Sequence, residues 1–377
     1  MPRRMEHGAT EPAAVDNAAA FASLVVFGQM KDRASIVLRA SLMHYSLHMR
    51  ALVYTAPNRL EMKERPRPAP GDGEVEVAID LAGVCGSDVS GFLGHSARRK
   101  PPLVLGHELV GRMSDGRRVV ANPLISCGRC HACLAGAQNL CSSWCLLGMD
   151  QTAGTFAEFV ALPANQIYEV PDSLDGKRAI LTEPLANVVH FFRLLAPAPF
   201  FRLAVVGGGT MGALSLLTAQ RIGAREVLVV DVNDQRLSSL SQLGASHTAN
   251  TASAEGVAHA KELGGTGFDI VIDASGSGPA RQMAFDLCRP GGQVLLLGMG
   301  QQRSEIDFVT SIRKEHRVVM SFAYTPADFE RALSLLIAGE VHLDAYTAQY
   351  PLEEGQEAFE MITQRPGSTL KVVLALN

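Results

Sequence analysis

Cys127-Gly128-Arg129-Cys130-His131-Ala132-Cys133, then seven residues and Cys141, constrains this chain more than any other stretch. Zinc takes four thiolates converging as a tetrahedron at about 2.3 Å, and Cys-x-x-Cys turns place sulfurs on one side of a loop. Four sulfurs close the coordination shell, so such a site braces a loop and offers no position to a substrate. Two other readings compete. Four incidental buried cysteines would need this spacing to arise without a metal. A zinc ribbon for nucleic acid would need more fixed positive charge than Arg129 supplies. The total of seven cysteines is odd and clustered, which points to metal before disulfides. Cys145 and Cys288 read as ordinary thiols.

With 377 residues, the chain has room for two to three domains. Hydrophobic residues make up 47% and charged residues 19%, enough for a sizeable core. A net charge of −4 leaves no broad basic field for nucleic acid or an anionic membrane. No apolar run approaches the roughly 18 residues that span a bilayer. Phe21–Phe27 (FASLVVF) is short and lacks a convincing cleavage site, so a cytoplasmic protein is expected.

Residues 1–48 are Ala- and Ser-rich and read as an extension, with a helix near Ala34–Met43. Arg50–Tyr54 reads as a strand, and Glu74–Asp80 alternates with period 2 behind a Pro/Gly-rich turn. From 49 to about 185 the pattern is short strands. Then it changes: the apolar run Leu203–Val206 leads into glycines, a helix over Met211–Ile222 and a second run at Val227–Val230. That is a β–α–β unit, the building block of a parallel sheet. Phe268–Asp273 and Gln293–Leu297 read as further strands of it. A helix over Asp328–Ala338 and a terminal strand over Lys371–Leu376 follow.

Gly207, Gly209 and Gly212 fit G-x-G-x-x-G between that strand and that helix, with Thr210 and Met211 at the helix end. The first glycine permits a tight turn, the second lets backbone approach a pyrophosphate, and the third packs helix on strand. The helix N-terminus faces the phosphate charge. Asp231, nineteen residues after Gly212, can accept both ribose hydroxyls of NAD and repel the 2′-phosphate of NADP. Arg236 lies close enough to compete, but an acid at the strand end favours NAD.

A second constellation joins Cys85-Gly86-Ser87-Asp88 to Gly106-His107-Glu108, each behind a strand-like run. Alone, a His-Glu pair is most often structural. Together, one thiolate, one imidazole and one carboxylate leave a fourth position open, as a catalytic zinc requires.

These motifs, with Glu183-Pro184-Leu185-Ala186, occur in one order over residues 49–377. In that order they resemble the zinc-dependent medium-chain alcohol and polyol dehydrogenases. The Glu-Pro-Leu-Ala segment is similar to the branch holding sorbitol, idonate, galactitol-phosphate and threonine dehydrogenases. The resemblance implies an α/β chain with a doubly wound Rossmann sheet and a mainly β, GroES-like catalytic domain. It places an extension at 1–48, the catalytic zinc-binding domain at 49–185 plus 325–377, and the NAD-binding domain at 186–324. It implies two zinc ions and NAD. Cys85, His107 and Glu108 would hold the catalytic zinc, with Glu183 approaching it directly or through water. Asp88 would orient His107, and Ser87 would pass the hydroxyl proton outward. Cys127, Cys130, Cys133 and Cys141 would hold the structural zinc, and Lys371 would stand near the cofactor pyrophosphate.

The chain departs from the family at Ser90, where many members carry a relay histidine; His95 is near in sequence. The connection Gly111–Arg117 is shorter than usual, and the extension is additional. The expected activity is NAD-dependent oxidation of a secondary alcohol of a polyol, sugar acid or sugar phosphate to the ketone. A small-molecule alcohol is then the substrate, with no nucleic acid or membrane partner and a homodimer or homotetramer as the assembly. The alternatives are a threonine-type amino-alcohol dehydrogenase and a catalytically inactive cofactor-binding protein. A zinc-free quinone reductase is disfavoured by Cys85, His107 and the four-cysteine loop.

Overall fold

The computed structural model describes residues 47–376, so the helix expected near Ala34–Met43 lies outside the described residues. The first part of the chain forms β1 (His48–Ala56), β2 (Arg59–Pro66), β3 (Glu74–Val84), β4 (Leu103–Val104) and β5 (Glu108–Met113). It continues through β6 (Arg118–Ala121), β7 (Leu124–Ile125), β8 (Cys145–Leu146), β9 (Phe159–Pro163) and β10 (Ile167–Glu169). The chain then crosses to β11 (Arg202–Val206), β12 (Glu226–Asp231), β13 (His247–Asn250), β14 (Phe268–Asp273), β15 (Cys288–Leu296) and β16 (Arg317–Met320). It returns in β17 (Thr347–Pro351) and β18 (Lys371–Ala375).

The return matters for function. A seven-stranded sheet runs β10-β6-β5-β3-β18-β17, with β9 also on β3, so the last strand of the chain lies against β3. Val77, Ile79, Ala82 and Val84 of β3 are buried, while Glu74 at its start is exposed. That half-buried pattern gives the sheet one face for a core shared with β1, β4 and the buried Phe92, Phe156 and Phe359. The short connection Gly111–Arg117 closes the β5–β6 hairpin, where Gly116 takes φ 87°.

The second sheet is wholly parallel in the order β13-β12-β11-β14-β15-β16. Leu203, Ala204, Val205 and Val206 are all buried, as a central strand covered on both faces must be. The order reverses between β11 and β14, and open parallel sheets bind ligands at such a crevice.

Helices α1 (Gly86–Phe92), α2 (His131–Leu134) and α3 (Gly176–Ala179) are short. Helix α4 (Thr182–Leu195) is buried around most of its circumference, including Glu183 and His190. Pro184 is accommodated because it sits in the first turn, where backbone N–H groups have no partner inside the helix. Helices α5 (Thr210–Arg221), α6 (Asp234–Gln242), α7 (Ala254–Gly264), α8 (Gly278–Leu287) and α9 (Phe308–Arg313) link the parallel strands, and α10 (Pro326–Ile337) packs against α4. Among the described residues no helix is long and apolar enough to cross a membrane.

Candidate active site

β3 ends at Val84 and α1 begins at Gly86, so Cys85 occupies the cap between them. Asp88, fully buried in the first turn of α1, accepts from the Cys85 N–H at 3.2 Å and from the Gly106 N–H at 3.2 Å. Gly106 takes φ 92°, and a Cβ there would stand 2.5 Å from Thr155 Oγ1. This turn delivers His107, whose Nδ1 lies 3.4 Å from Asp88 Oδ1. Burial alone would raise the Asp88 pKa. The charge of His107 at 3.4 Å and the Arg99 guanidinium outweigh that and hold it at about 2. The carboxylate is therefore ionised and aimed at the imidazole.

Glu108 opens β5 opposite Gly83, where a Cβ would overlap its carboxylate. One ligand atom each from Cys85, His107 and Glu108 lies within 4.8 Å of the others. Glu108 Oε1 and His107 Nδ1 are buried without a well-formed hydrogen bond. A thiolate, an imidazole and a buried carboxylate oxygen lacking a partner fit zinc. Glu183 stands beside this cluster without joining the 4.8 Å group. Its Oε1 accepts from Tyr324 Oη at 3.0 Å and from Asn187 Nδ2 at 3.4 Å. Burial pushes its pKa up, against the pull of His107. Burial and the Glu183 charge keep the Tyr324 phenol well above its ordinary range, so it remains a donor. Tyr324 is buried and went unnoticed in the sequence, where a lone tyrosine between two elements carries no signal.

Lys371 is held at the metal cluster by its side chain. Its side chain is buried, and its ammonium pairs with Glu108 Oε2 and donates to the Val84 carbonyl at 3.1 Å. The neighbouring Leu370 reaches the glycine turn, its carbonyl accepting from Thr210 Oγ1 at the start of α5. Consecutive residues thus touch the glycine turn through backbone and the metal cluster through a side chain.

At the turn, Gly207 takes φ 112° and a Cβ on Gly212 would overlap the Gly207 carbonyl. A Cβ on Gly209 would meet nothing within 4 Å, the open side a pyrophosphate needs. Met211 follows in the first turn of α5, partly buried. Asp231 ends β12, with Oδ2 accepting from the Gly208 N–H at 2.6 Å and Oδ1 from the Asn233 N–H at 2.9 Å. Arg236 lies on α6, its Nε 3.4 Å from the Thr369 carbonyl.

Cys127, Cys130, Cys133 and Cys141 bring their sulfurs within 4.8 Å of one another. The thiols are not alike: the Cys133 backbone N–H and thiol lower the Cys130 pKa to about 6, while burial raises Cys133 to about 11. Cys288, by contrast, is pushed up to about 12 by burial. Ser87 and Ser90 are half-buried on α1, and His95 is exposed, its N–H donating to the Ser90 carbonyl at 2.9 Å.

Residues 71–172 match the alcohol dehydrogenase GroES-like domain, and residues 210–338 match the zinc-binding dehydrogenase family. D-xylulose reductase A of Aspergillus niger is 32% identical over 341 residues, covering 84% of this chain and 94% of its own. The chain belongs to the zinc-dependent medium-chain polyol dehydrogenases. An alcohol dehydrogenase of Escherichia coli CFT073, solved with NADH, superposes with TM-score 0.80 at 26% identity over 88% of this chain and 100% of its own. L-idonate 5-dehydrogenase of Escherichia coli superposes with TM-score 0.79 at 25% identity, covering 87% and 98%. This polyol dehydrogenase therefore combines a GroES-like domain with a Rossmann-like parallel sheet, and it is an oxidoreductase of the polyol and sugar type.

Proposed function

We propose that this polyol dehydrogenase oxidises a secondary alcohol of a polyol, sugar acid or sugar phosphate to the ketone, with NAD accepting the hydride. The observation that carries this is the Leu370–Lys371 pair, which ties the glycine turn to the Cys85/His107/Glu108 cluster through adjacent residues. In this reading Cys85, His107 and Glu108 hold one zinc, Glu183 stands close by, and the four-cysteine loop holds a second. The catalytic zinc supplies Lewis acidity to the substrate hydroxyl. Asp88 keeps His107 oriented. Lys371 balances the buried Glu108, and Tyr324 holds Glu183 in one orientation. The Ser87 hydroxyl would accept the substrate's hydroxyl proton while releasing its own outward, and NAD held at the glycine turn would supply the hydride acceptor. Gly207, Gly209, Thr210, Met211 and Gly212 bind the pyrophosphate, and Asp231 binds the ribose.

The reading also divides the described chain into a catalytic part, 49–185 with 325–377, and a cofactor part, 186–324, in a cytoplasmic enzyme. Exposed Met299, Phe308, Val309, Ile312 and Met320, on and near α9 and the edge strand β16, support a homo-oligomer. The test follows NADH absorbance with polyols, sugar acids, sugar phosphates, threonine and ethanol. Turnover confined to threonine would overturn the substrate class.

A further inference from the structure

Between α1 and β4 the chain carries Arg98, Arg99 and Lys100 in a row. Arg98 pairs with Asp150 near the surface, and Lys100 is exposed. Arg99 turns inward and is 4% exposed. A buried guanidinium is costly unless it is paired, so its contacts identify its role. Its Nη2 donates to Ser87 Oγ at 3.0 Å. Its Nε lies 3.6 Å from Asp88 Oδ1, beyond a hydrogen bond, and has no other acceptor. Gly91 makes room for it: a Cβ there would stand 2.7 Å from Arg99 Cδ. Helix α1 therefore presents Ser87, Asp88 and a vacant Gly91 surface to one cation.

A serine hydroxyl has one O–H and two lone pairs. Arg99 fills one lone pair, leaving a single acceptor position and a single donor. Guanidinium stays protonated throughout and takes no proton itself. A proton arriving at Ser87 Oγ must then leave by the O–H, away from Arg99. The same cation faces Asp88, the carboxylate that orients His107. We propose that Arg99 is a positioning residue of the reaction, fixing the Ser87 hydroxyl for one-way proton transfer and holding Asp88 toward His107. This rests on the reading of Ser87 and the Cys85/His107/Glu108 zinc given above.

The test uses the full-length, zinc-loaded enzyme and its cobalt-substituted form. Arg99→Met keeps the bulk and removes donor and charge. Arg99→Lys keeps the charge. Gly91→Ala displaces the guanidinium and covers the case in which Arg99→Met does not fold. Single-turnover NADH formation with the best polyol should fall about 10-fold or more in Arg99→Met, the scale of a lost hydrogen bond to a charged group. NAD affinity should not change, and Arg99→Lys should recover part of the rate. In a Ser87→Ala background, Arg99→Met should add little, because residues acting through one group are not additive. The cobalt absorption bands should shift in Arg99→Met and Gly91→Ala as the His107 orientation relaxes. An unchanged rate in Arg99→Met and Gly91→Ala, or losses that simply add to that of Ser87→Ala, overturns the proposal. The underlying reading fails separately, through wild-type turnover in Ser87→Ala or a Cys85→Ala protein that still binds two metals per chain.

Discussion

Lys371 and Glu108 are each about 1% exposed, and each is the other's compensation. Removing one charge of a buried pair leaves the other unpaired, at a cost of about 3–5 kcal/mol. Lys371→Met should lose that much stability in urea unfolding, and adding Glu108→Gln should restore part of it; an unchanged midpoint would show the pair is dispensable. The Lys371–Glu108 pair was not legible in the sequence, because it forms only when strand β18 returns beside β3. Arg99 was invisible for a related reason. An arginine among basic neighbours reads as surface, and only the space above Gly91 brings it inward. Cys85, His107 and the four loop cysteines were legible because metal ligation ties residue type to spacing. The place of Asp231 at the end of β12, beside Gly208, was legible from its distance to the glycine turn. Replacing it with serine should weaken NAD and relax discrimination against NADP, read as kcat/KM for both cofactors. A wild-type preference for NADP would instead make Arg236 the group that governs the ribose pocket.

At the scale of elements, the four-cysteine loop is clipped to the segment that precedes Tyr324. Asn139 Nδ2 donates to the Phe322 carbonyl at 2.8 Å, and Trp144 lies against the Phe322 ring at 5.2 Å. A closed zinc site contributes folding energy, so Cys130→Ser should reduce zinc from two ions per chain to one and lower Tm. Full zinc content in that variant would contradict the assignment. Helices α4 and α10 are joined by Asp328, which accepts from His190 Nδ1 at 2.7 Å, Arg193 Nε at 2.9 Å and Thr325 Oγ1 at 2.7 Å. Burial opposes its ionisation, but these partners hold its pKa well below the carboxylate range. Its stabilising contribution is therefore complete above about pH 4 and disappears as pH falls below that. Asp328→Asn should lower stability at pH 7 by about 3 kcal/mol and narrow its gap to wild type in acid; a pH-independent gap would contradict this. Helix α10 begins at Pro326, two residues before the apolar pattern suggests. Thr325 and Asp328 form a capping box with Pro326 at the first position, a signal present in the sequence that periodicity alone passes over. Strand β15 likewise begins at Cys288, which pairs with Phe268; Arg289-Pro290-Gly291-Gly292 then bulges out of register before Gln293 pairs with Ile270.

Across the whole molecule, the fold was readable because local patterns and long-range motifs agree: short alternating strands first, then a β–α–β unit around glycines. The junction of the two parts was less readable. It is made by the returning β18, which carries Leu370 to the glycine turn and Lys371 to the metal cluster, and no local pattern reports a contact across 263 residues. Glu183 places a buried carboxylate beside that cluster, and oxygen-rich surroundings suit a substrate that brings a second oxygen donor. The most direct test is kcat/KM for NAD-linked oxidation of vicinal polyols and sugar acids against ethanol, on protein shown to hold two zinc ions per chain. The account requires the best polyol to exceed ethanol by roughly two orders of magnitude or more, the scale of a site left with unpaired polar groups by the smaller substrate. Ethanol turning over as efficiently as the best polyol would contradict it.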